Sequence, residues 1–394
     1  MKQNPLSIKM LQIYGLAMAY FTANAVLSVV FPLQAATHGI REAEIGLMMG
    51  IYMFVCMFLR PWAGQMITKY SVFTIMKWLL IAHAITLLLY SWLGINSIYI
   101  VRILQGIVTA FFSMAMQMGI TEVLYDKDRG QGLAMYSLST VIPSIYGPVL
   151  ALFLWHQQSA SWLPIFVVIL ALIPLLLFIR SPLSKTRQEH TTFTLEECFQ
   201  GIKLARQHKG LVFSSIVMLC GACIFGAIST FLPLYLLTST SLSPAFYLFS
   251  QAIVVVSSRF IFRKYIPSDG KWHSYFIAII LGCSIIGTTM LAMLPILGAF
   301  VYISAIFNGI ATAMLYPTLT TYISFVIPDS HRHILLGIFL ASYDLGFSLG
   351  GFIMGFIIQW GSYAIMFSCC SLLAVIILIY NYFVQIPKDA LIHE

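Results

Sequence analysis

Arg102, Gln105, Thr109, Ser113, Met116 and Gln117 step by three or four residues along the apolar stretch from Ile98 to Ile120. That spacing sets them on one face of a helix, while Ile103, Ile107 and Phe111 point elsewhere. A guanidinium flanked by amides and hydroxyls is chemistry for gripping an anion, because its forked donors match a carboxylate or a phosphate. Asp344 is the one acid well inside an apolar stretch, and a carboxyl in such a place is suited to taking up and releasing a proton. Shorter polar faces recur at Tyr20, Asn24 and Ser28; at Tyr136, Thr140, Pro143 and Gly147; at Asn308, Thr312, Tyr316 and Thr320; and at Asp344, Ser348 and Gly351. No metal-ligand cluster, phosphate-binding loop or nucleophile and base pair has useful spacing, which points away from an enzyme, a metal centre and a bound cofactor.

The elements that must hold these residues are membrane helices. Of 394 residues 60% are hydrophobic and 9% charged, whereas a soluble domain carries about 25% charged residues, so the chain cannot cover a surface facing water. Twelve apolar runs are long enough to cross a hydrocarbon core of about 30 Å. They cover Met10 to Ala36, Ile45 to Thr68, Ile75 to Gly94, Ser97 to Leu124, Leu133 to Trp155, Trp162 to Ile179, Leu211 to Leu237, Ala245 to Phe262, Ser274 to Pro295, Phe300 to Ile327, Ile334 to Gln359 and Tyr363 to Ile386. The first run is too long for a signal peptide and is expected to stay as a span. Lipid supplies no hydrogen-bond partners, so the polar faces must look toward protein or water. Lone serines and threonines also tie helices together, but several stripes with ionisable members favour a shared cavity.

Of the 21 lysines and arginines, seventeen fall in segments that share one side, only Arg41 lies clearly on the other, and Arg60, Arg102 and Arg259 lie within spans. Positive residues collect on the cytoplasmic side, which predicts a multi-pass cell-membrane protein with both termini cytoplasmic. The net charge of +8 is then a topology signal rather than a nucleic-acid footprint. The seven cysteines fall mostly inside apolar runs, and Cys220 with Cys223 reads as small apolar packing residues rather than a redox pair.

A polar stretch from Arg180 to Gly210 divides the runs six and six. This gives an N-terminal bundle over 1–180, a cytoplasmic linker over 181–210 and a C-terminal bundle over 211–394. Leu195, Phe199, Ile202 and Ala205 predict a short amphipathic helix in the linker. The halves match at a steady offset: "QGIVTA" (Gln105 to Ala110) with "NGIATA" (Asn308 to Ala313), Arg60 with Arg259, "SVVFPLQ" with "STFLPLY", and Gly147 and Pro148 with Gly350 and Gly351. The expected fold is all-α, with twelve spans in two six-helix pseudo-repeats. Such parallel repeats bind substrate near the bilayer midplane and alternate its access to the two sides. The Gly147 and Pro148 pair is expected to bend or weaken the fifth span.

The sequence resembles a major facilitator superfamily transporter over essentially its whole length. The resemblance rests on "RPWAGQMITKY" (Arg60 to Tyr70), "RILQGIVTA" (Arg102 to Ala110) and "PSIYGPVLA" (Pro143 to Ala151), the last being similar to the motif of exporters and antiporters. Gly64 and Lys69 stand in the first motif, whose usual aspartate is missing here. "FTANAVLSVVFPL", "FRPWAGQ", "FFSMAMQMGI" and "YSLSTVIPSIYGP" resemble more narrowly the exporters of staphylopine-type metallophores.

The resemblance and the polar faces together predict proton-coupled efflux of a small anionic metabolite, and nothing in the sequence demands more than a monomer. Arg102, Gln105, Thr109, Ser113, Gln117, Asn24, Tyr20, Tyr136, Asn308, Thr312 and Tyr316 would line the substrate path, and Asp344 and Glu122 would handle protons. Arg60, Gly64, Lys69, Gly147, Pro148, Arg259 and Gly350 would work the gates, and Arg60 with Asp344 would form a cytoplasmic latch, a role that does not exclude proton carrying by Asp344. A multidrug exporter, for which Phe112 and Met116 would offer apolar contact, is the competing expectation. A nutrient importer, a lipid flippase and a non-transporting receptor follow it.

Overall fold

The computed structural model describes residues 3–125, 128–156, 162–179, 183, 203, 206–267, 269–327 and 332–383. The amphipathic segment expected at Leu195 to Ala205 falls outside them, apart from Lys203. Among the described residues the backbone is helical and forms no strand beyond a single bridge between Gln3 and Leu124.

Twelve spanning elements follow the chain: α1 (Ile8–Thr37), α2 (Glu42–Lys69), α3 (Val72–Leu93), α4 (Ile98–Val123), α5 (Arg129–Val141, continued by Pro143–His156), α6 (Trp162–Phe178), α7 (Lys209–Ser239), α8 (Pro244–Ile261), α9 (Ser274–Ala292), α10 (Ser304–Val326), α11 (Arg332–Trp360) and α12 (Tyr363–Phe383). Among the described residues ten apolar helical runs are long enough to span a membrane; one of them holds both α3 and α4, and the shorter α6 completes the set. Trp92, Trp162, Trp360 and Tyr382 are exposed near helix ends, the place where amphipathic rings favour a membrane interface.

Local chemistry sets several boundaries. Ser71 caps α3 by accepting from the Thr74 amide at 3.3 Å, and Ser243 caps α8 by accepting from Phe246 at 3.3 Å, with Pro244 in the first turn. Gly94, at φ 58°, ends α3 and turns the chain through Gly94–Ser97 into α4, which fixes where Arg102 emerges. In α5 the interruption falls at Ile142, ahead of Pro143, and the helix runs unbroken through Gly147 and Pro148. Pro143 lacks the N–H that would continue the ladder, and its ring crowds the carbonyl four residues back. A Cβ on Gly147 would stand 2.6 Å from the Ala25 Cβ, so this glycine serves the approach of α5 to α1.

The chain forms two compact units, one of Met1–Ala35 with Phe54–Phe193 and one of Ala36–Met53 with Thr194–Glu394. In the first, Met10, Leu16 and Tyr20 of α1 pack with Met76 of α3 and with Phe112 and Met116 of α4. In the second, α7 packs along α11. The pairings repeat: α3 packs on α4 and α6, as α9 packs on α10 and α12. The two-fold internal repeat is therefore present in the packing as well as in the spacing of residues.

The first half of α2 belongs by packing to the second unit. A Cβ on Gly46 would lie 2.1 Å from the Gly351 carbonyl oxygen, and one on Gly355 2.6 Å from that of Glu42. On its other side α11 meets α7 as closely: a Cβ on Gly346 would lie 2.1 Å from the Leu219 carbonyl oxygen and one on Gly350 2.0 Å from that of Cys223. Only residues without side chains let backbones approach so far, the small-residue packing that substitutes for hydrophobic drive between helices in lipid.

Candidate functional site

Two charged side chains among the described residues, one in each unit, are withdrawn from the surface: Arg102 at 2% exposure and Asp344 at 0%. An arginine at the centre of a spanning helix costs roughly 2.5–3.5 kcal/mol on insertion scales, so its surroundings reveal what compensates it. The Arg102 guanidinium lies over the Phe31 ring, 4.6 Å from its centroid. Such a contact contributes about 0.5–2 kcal/mol depending on desolvation. Arg102 Nη1 donates to Gln105 Oε1 at 3.4 Å, and Gln105 Nε2 donates to Asn24 Oδ1 at 3.5 Å. These bonds are at the long end of the range and leave the amides able to turn to a better partner.

A frame of shorter contacts surrounds the guanidinium. Phe31 meets the Tyr90 ring edge-on at 4.8 Å, and the Tyr90 hydroxyl donates to Gln34 Oε1 at 2.6 Å. One turn further along α4, the Tyr20 and Thr109 hydroxyls bond at 2.6 Å, and Tyr20 stacks on Phe112 at 3.9 Å. The stripe then opens: Ser113, bonded to the Ala110 carbonyl of its own helix, is at the limit of burial, and Gln117 is exposed. Tyr136 of α5 is buried in the same core as Tyr20 and Phe112. Glu122 is half-buried at the far end of α4, where Arg129 Nε donates to the Thr121 carbonyl at 3.1 Å.

The second unit has a different interior. Asn308 Nδ2 donates to the Tyr247 hydroxyl at 3.0 Å, which bonds Ser304 Oγ at 2.8 Å, and Gly287 lets the backbone of α9 close over Asn308. Thr312 donates to the Asn308 carbonyl of its own helix at 2.8 Å. Tyr316 is half-buried and meets Tyr343 of α11 edge-on at 5.5 Å. Arg60 and Arg259 are half-buried, Gly350 sits in the seam between α7 and α11, and the surroundings of Gly64 and the Lys69 side chain lie outside what the structure describes.

Sequence reasoning passed over Phe31, Gln34, His83 and Tyr90. His83 is buried on α3 against Tyr20, with ring centroids 4.6 Å apart, and neither ring nitrogen has a hydrogen-bond partner among the described residues. The signal was available: His83, Thr86 and Tyr90 are spaced three and four apart, and all three are buried. Phe31 carried none, because an aromatic in an apolar run reads as packing until a cation is placed over it.

The Major Facilitator Superfamily model matches residues 13–303 and 270–392. The chain is 37% identical over 376 residues to the staphylopine export protein of Staphylococcus aureus, covering 94% of this chain and 95% of that one. Among solved structures it resembles a D-xylose-proton symporter, with a TM-score of 0.74 at 17% identity over 97% of this chain and 98% of that one. It also resembles a bacterial homolog of the human lysosomal transporter Spinster in an inward-facing, unoccupied conformation, with a TM-score of 0.72 at 16% identity over 97% and 96%.

Proposed function

We propose an export function for this chain, which belongs to the Major Facilitator Superfamily: it moves a small polycarboxylate of the staphylopine class out of the cell, driven by protons. The observation that carries the reading is the buried Arg102 cluster in a chain 37% identical, over 94% of its length, to a staphylopine export protein. Staphylopine-type metallophores are amino-acid derivatives with several carboxylates. A carboxylate entering beside Arg102 replaces the long bond to Gln105 with a charge-assisted pair, which is shorter and roughly twice as strong.

Arg102 is buried here and must be uncovered for this, so substrate meets it in another conformation. Gln105, Asn24, Thr109 and Tyr20 position the guanidinium and offer neutral hydrogen bonds, and the exposed Gln117 together with Ser113 extends the polar track along α4. Asp344 carries the proton: loading and unloading it draws on about 1.4 kcal/mol per pH unit and about 2.3 kcal/mol per 100 mV. Glu122 is its second candidate relay. The excess of lysine and arginine on one side supports a cell-membrane topology with both termini in the cytoplasm, and the transporter is read as a monomer.

The test is accumulation. Deleting the gene from a producing strain raises intracellular staphylopine and depletes it from the medium, and the wild-type gene restores export. Unchanged partition of staphylopine, with drug sensitivity increased instead, would replace this reading with multidrug efflux.

A further inference from the structure

Arg259 is the third-last residue of α8 and is only half-buried, so a small anion can reach it. Its Nε is nevertheless shut off from the surface and donates to nothing among the described residues. No described carboxylate pairs with it; Asp269, in the loop after α8, is held instead by the Lys271 amide at 3.1 Å and by His273 at 2.9 Å. α10 runs beside α8: the Tyr247 hydroxyl bonds Ser304 at 2.8 Å and accepts from Asn308 at 3.0 Å, and a Cβ on Gly309 would lie 2.8 Å from the Val254 side chain. About two turns further on, this register brings Tyr316 level with Arg259 and within electrostatic reach of it, and Tyr316 packs edge to face on Tyr343 of α11.

A permanent cation in a spanning helix is costly unless it is paired. Its place in the last turn suits the negative end of the helix dipole, worth about 0.3–1 kcal/mol, which falls short of replacing a counter-ion. Reaching out to the headgroups would bring relief in water, but that leaves unexplained why tyrosines from two other helices stand near it. Two phenol O–H donors and a guanidinium are what an oxyanion asks for: several donors, one positive charge and no competing carboxylate.

We propose that Arg259, Tyr316 and Tyr343 form an oxyanion subsite within the second unit, which takes a carboxylate of the transported compound. The assignment rests on the anionic-substrate reading above, yet it can be tested without transport.

The probe is citrate, as a simple polycarboxylate, added to the purified full-length protein in neutral detergent, with chloride at matched ionic strength as the control. Citrate is expected to raise the Tm of the wild type by several degrees. Arg259→Gln, with an unliganded Tm close to the wild type, is expected to lose more than half of that shift. Arg259→Lys recovers part of it, and Tyr316→Phe with Tyr343→Phe gives an intermediate loss. No citrate shift in the wild type, or an equal shift in Arg259→Gln, overturns the subsite. Should Arg259→Gln not fold, Tyr316→Phe with Tyr343→Phe decides alone, and an undiminished shift there overturns it too. If phosphatidylglycerol, and not citrate, gives the Arg259-dependent shift, the oxyanion is a lipid phosphate and the assignment to transported carboxylate falls. Failure of staphylopine export with these citrate shifts intact would remove only the substrate named above.

Discussion

Helices α4 and α10 hold equivalent places in the two halves and share glycine, isoleucine, threonine and alanine across "QGIVTA" and "NGIATA". One turn earlier they part: α4 has Arg102 where α10 has Ala305, and both positions are buried. Around Arg102 the neighbours hold a charge with an aromatic face and two long amide bonds. Around Asn308 they close a neutral set with Tyr247 and Ser304 at 3.0 and 2.8 Å. The duplicated scaffold thus needs a polar group at the Gln105 and Asn308 level, which both halves keep, and only one half adds the cation. A charge that the duplicated fold required at this level would be expected in both halves, so the one-sided Arg102 points to cargo.

The largest effect should come from removing that asymmetry. Arg102→Gln is expected to lower staphylopine export at least tenfold with little change in Tm, since a neutral amide relieves the cost of a buried cation while removing the anion's partner. Adding Ala305→Arg should not rescue it. That position is fully buried, so the new side chain overpacks the interior and adds roughly 2.5–3.5 kcal/mol of charge insertion, lowering the Tm. Recovery of export in the double variant would show that the halves are interchangeable and that the comparison is empty.

The second half carries its deep charge on α11 instead. Asp344→Asn should abolish uphill export in proteoliposomes with an imposed pH gradient, yet leave substrate exchange at zero gradient within about twofold, because the amide keeps the shape and loses the proton. Gradient-driven transport that survives the change would remove Asp344 from coupling.

The seam beside it separates mechanics from recognition. Gly350→Ala brings a methyl to 2.0 Å from the Cys223 carbonyl and should cost about 1–3 kcal/mol of stability. Gly282→Ala, on α9 with nothing within 4 Å, should stabilise by about 0.5–1 kcal/mol. Thermal unfolding of the two variants in one detergent checks the pair, and equal shifts would mean that α7 and α11 do not meet at their backbones.

Much of this was legible in the residues. Twelve apolar runs fixed the spans, the offset of the halves anticipated paired packing, and the three-and-four spacing of Arg102, Gln105 and Thr109 put them together correctly on one helix. What contacts between helices decide was not legible. The Gly147 and Pro148 pair suggests a bend or weak point in α5, but the helix runs unbroken through it and is interrupted ahead of Pro143, while Gly147 serves the approach to Ala25. Phe31 lies 71 residues from Arg102 in sequence, and periodicity within one helix cannot report a partner supplied by another. For the same reason the first half of α2, which sequence order assigns to the first half, packs with the second unit through Gly46 and Gly50.

The smallest effect expected here is also the finest test of the comparison. Asn308→Ala removes one bond to Tyr247 and leaves a small void against Gly287, which should cost about 1–3 kcal/mol of stability. Gln105→Ala removes only the long bonds to Arg102 and Asn24 and should cost less, since bonds at 3.4–3.5 Å contribute little. Export should rank the other way. Normalised to folded protein, it should fall severalfold in Gln105→Ala, which frees the guanidinium to leave its working position, and stay within about twofold in Asn308→Ala. If the two variants instead lose stability and export in the same proportion, then both amides are structural alone and α4 is distinguished by Arg102 and nothing around it.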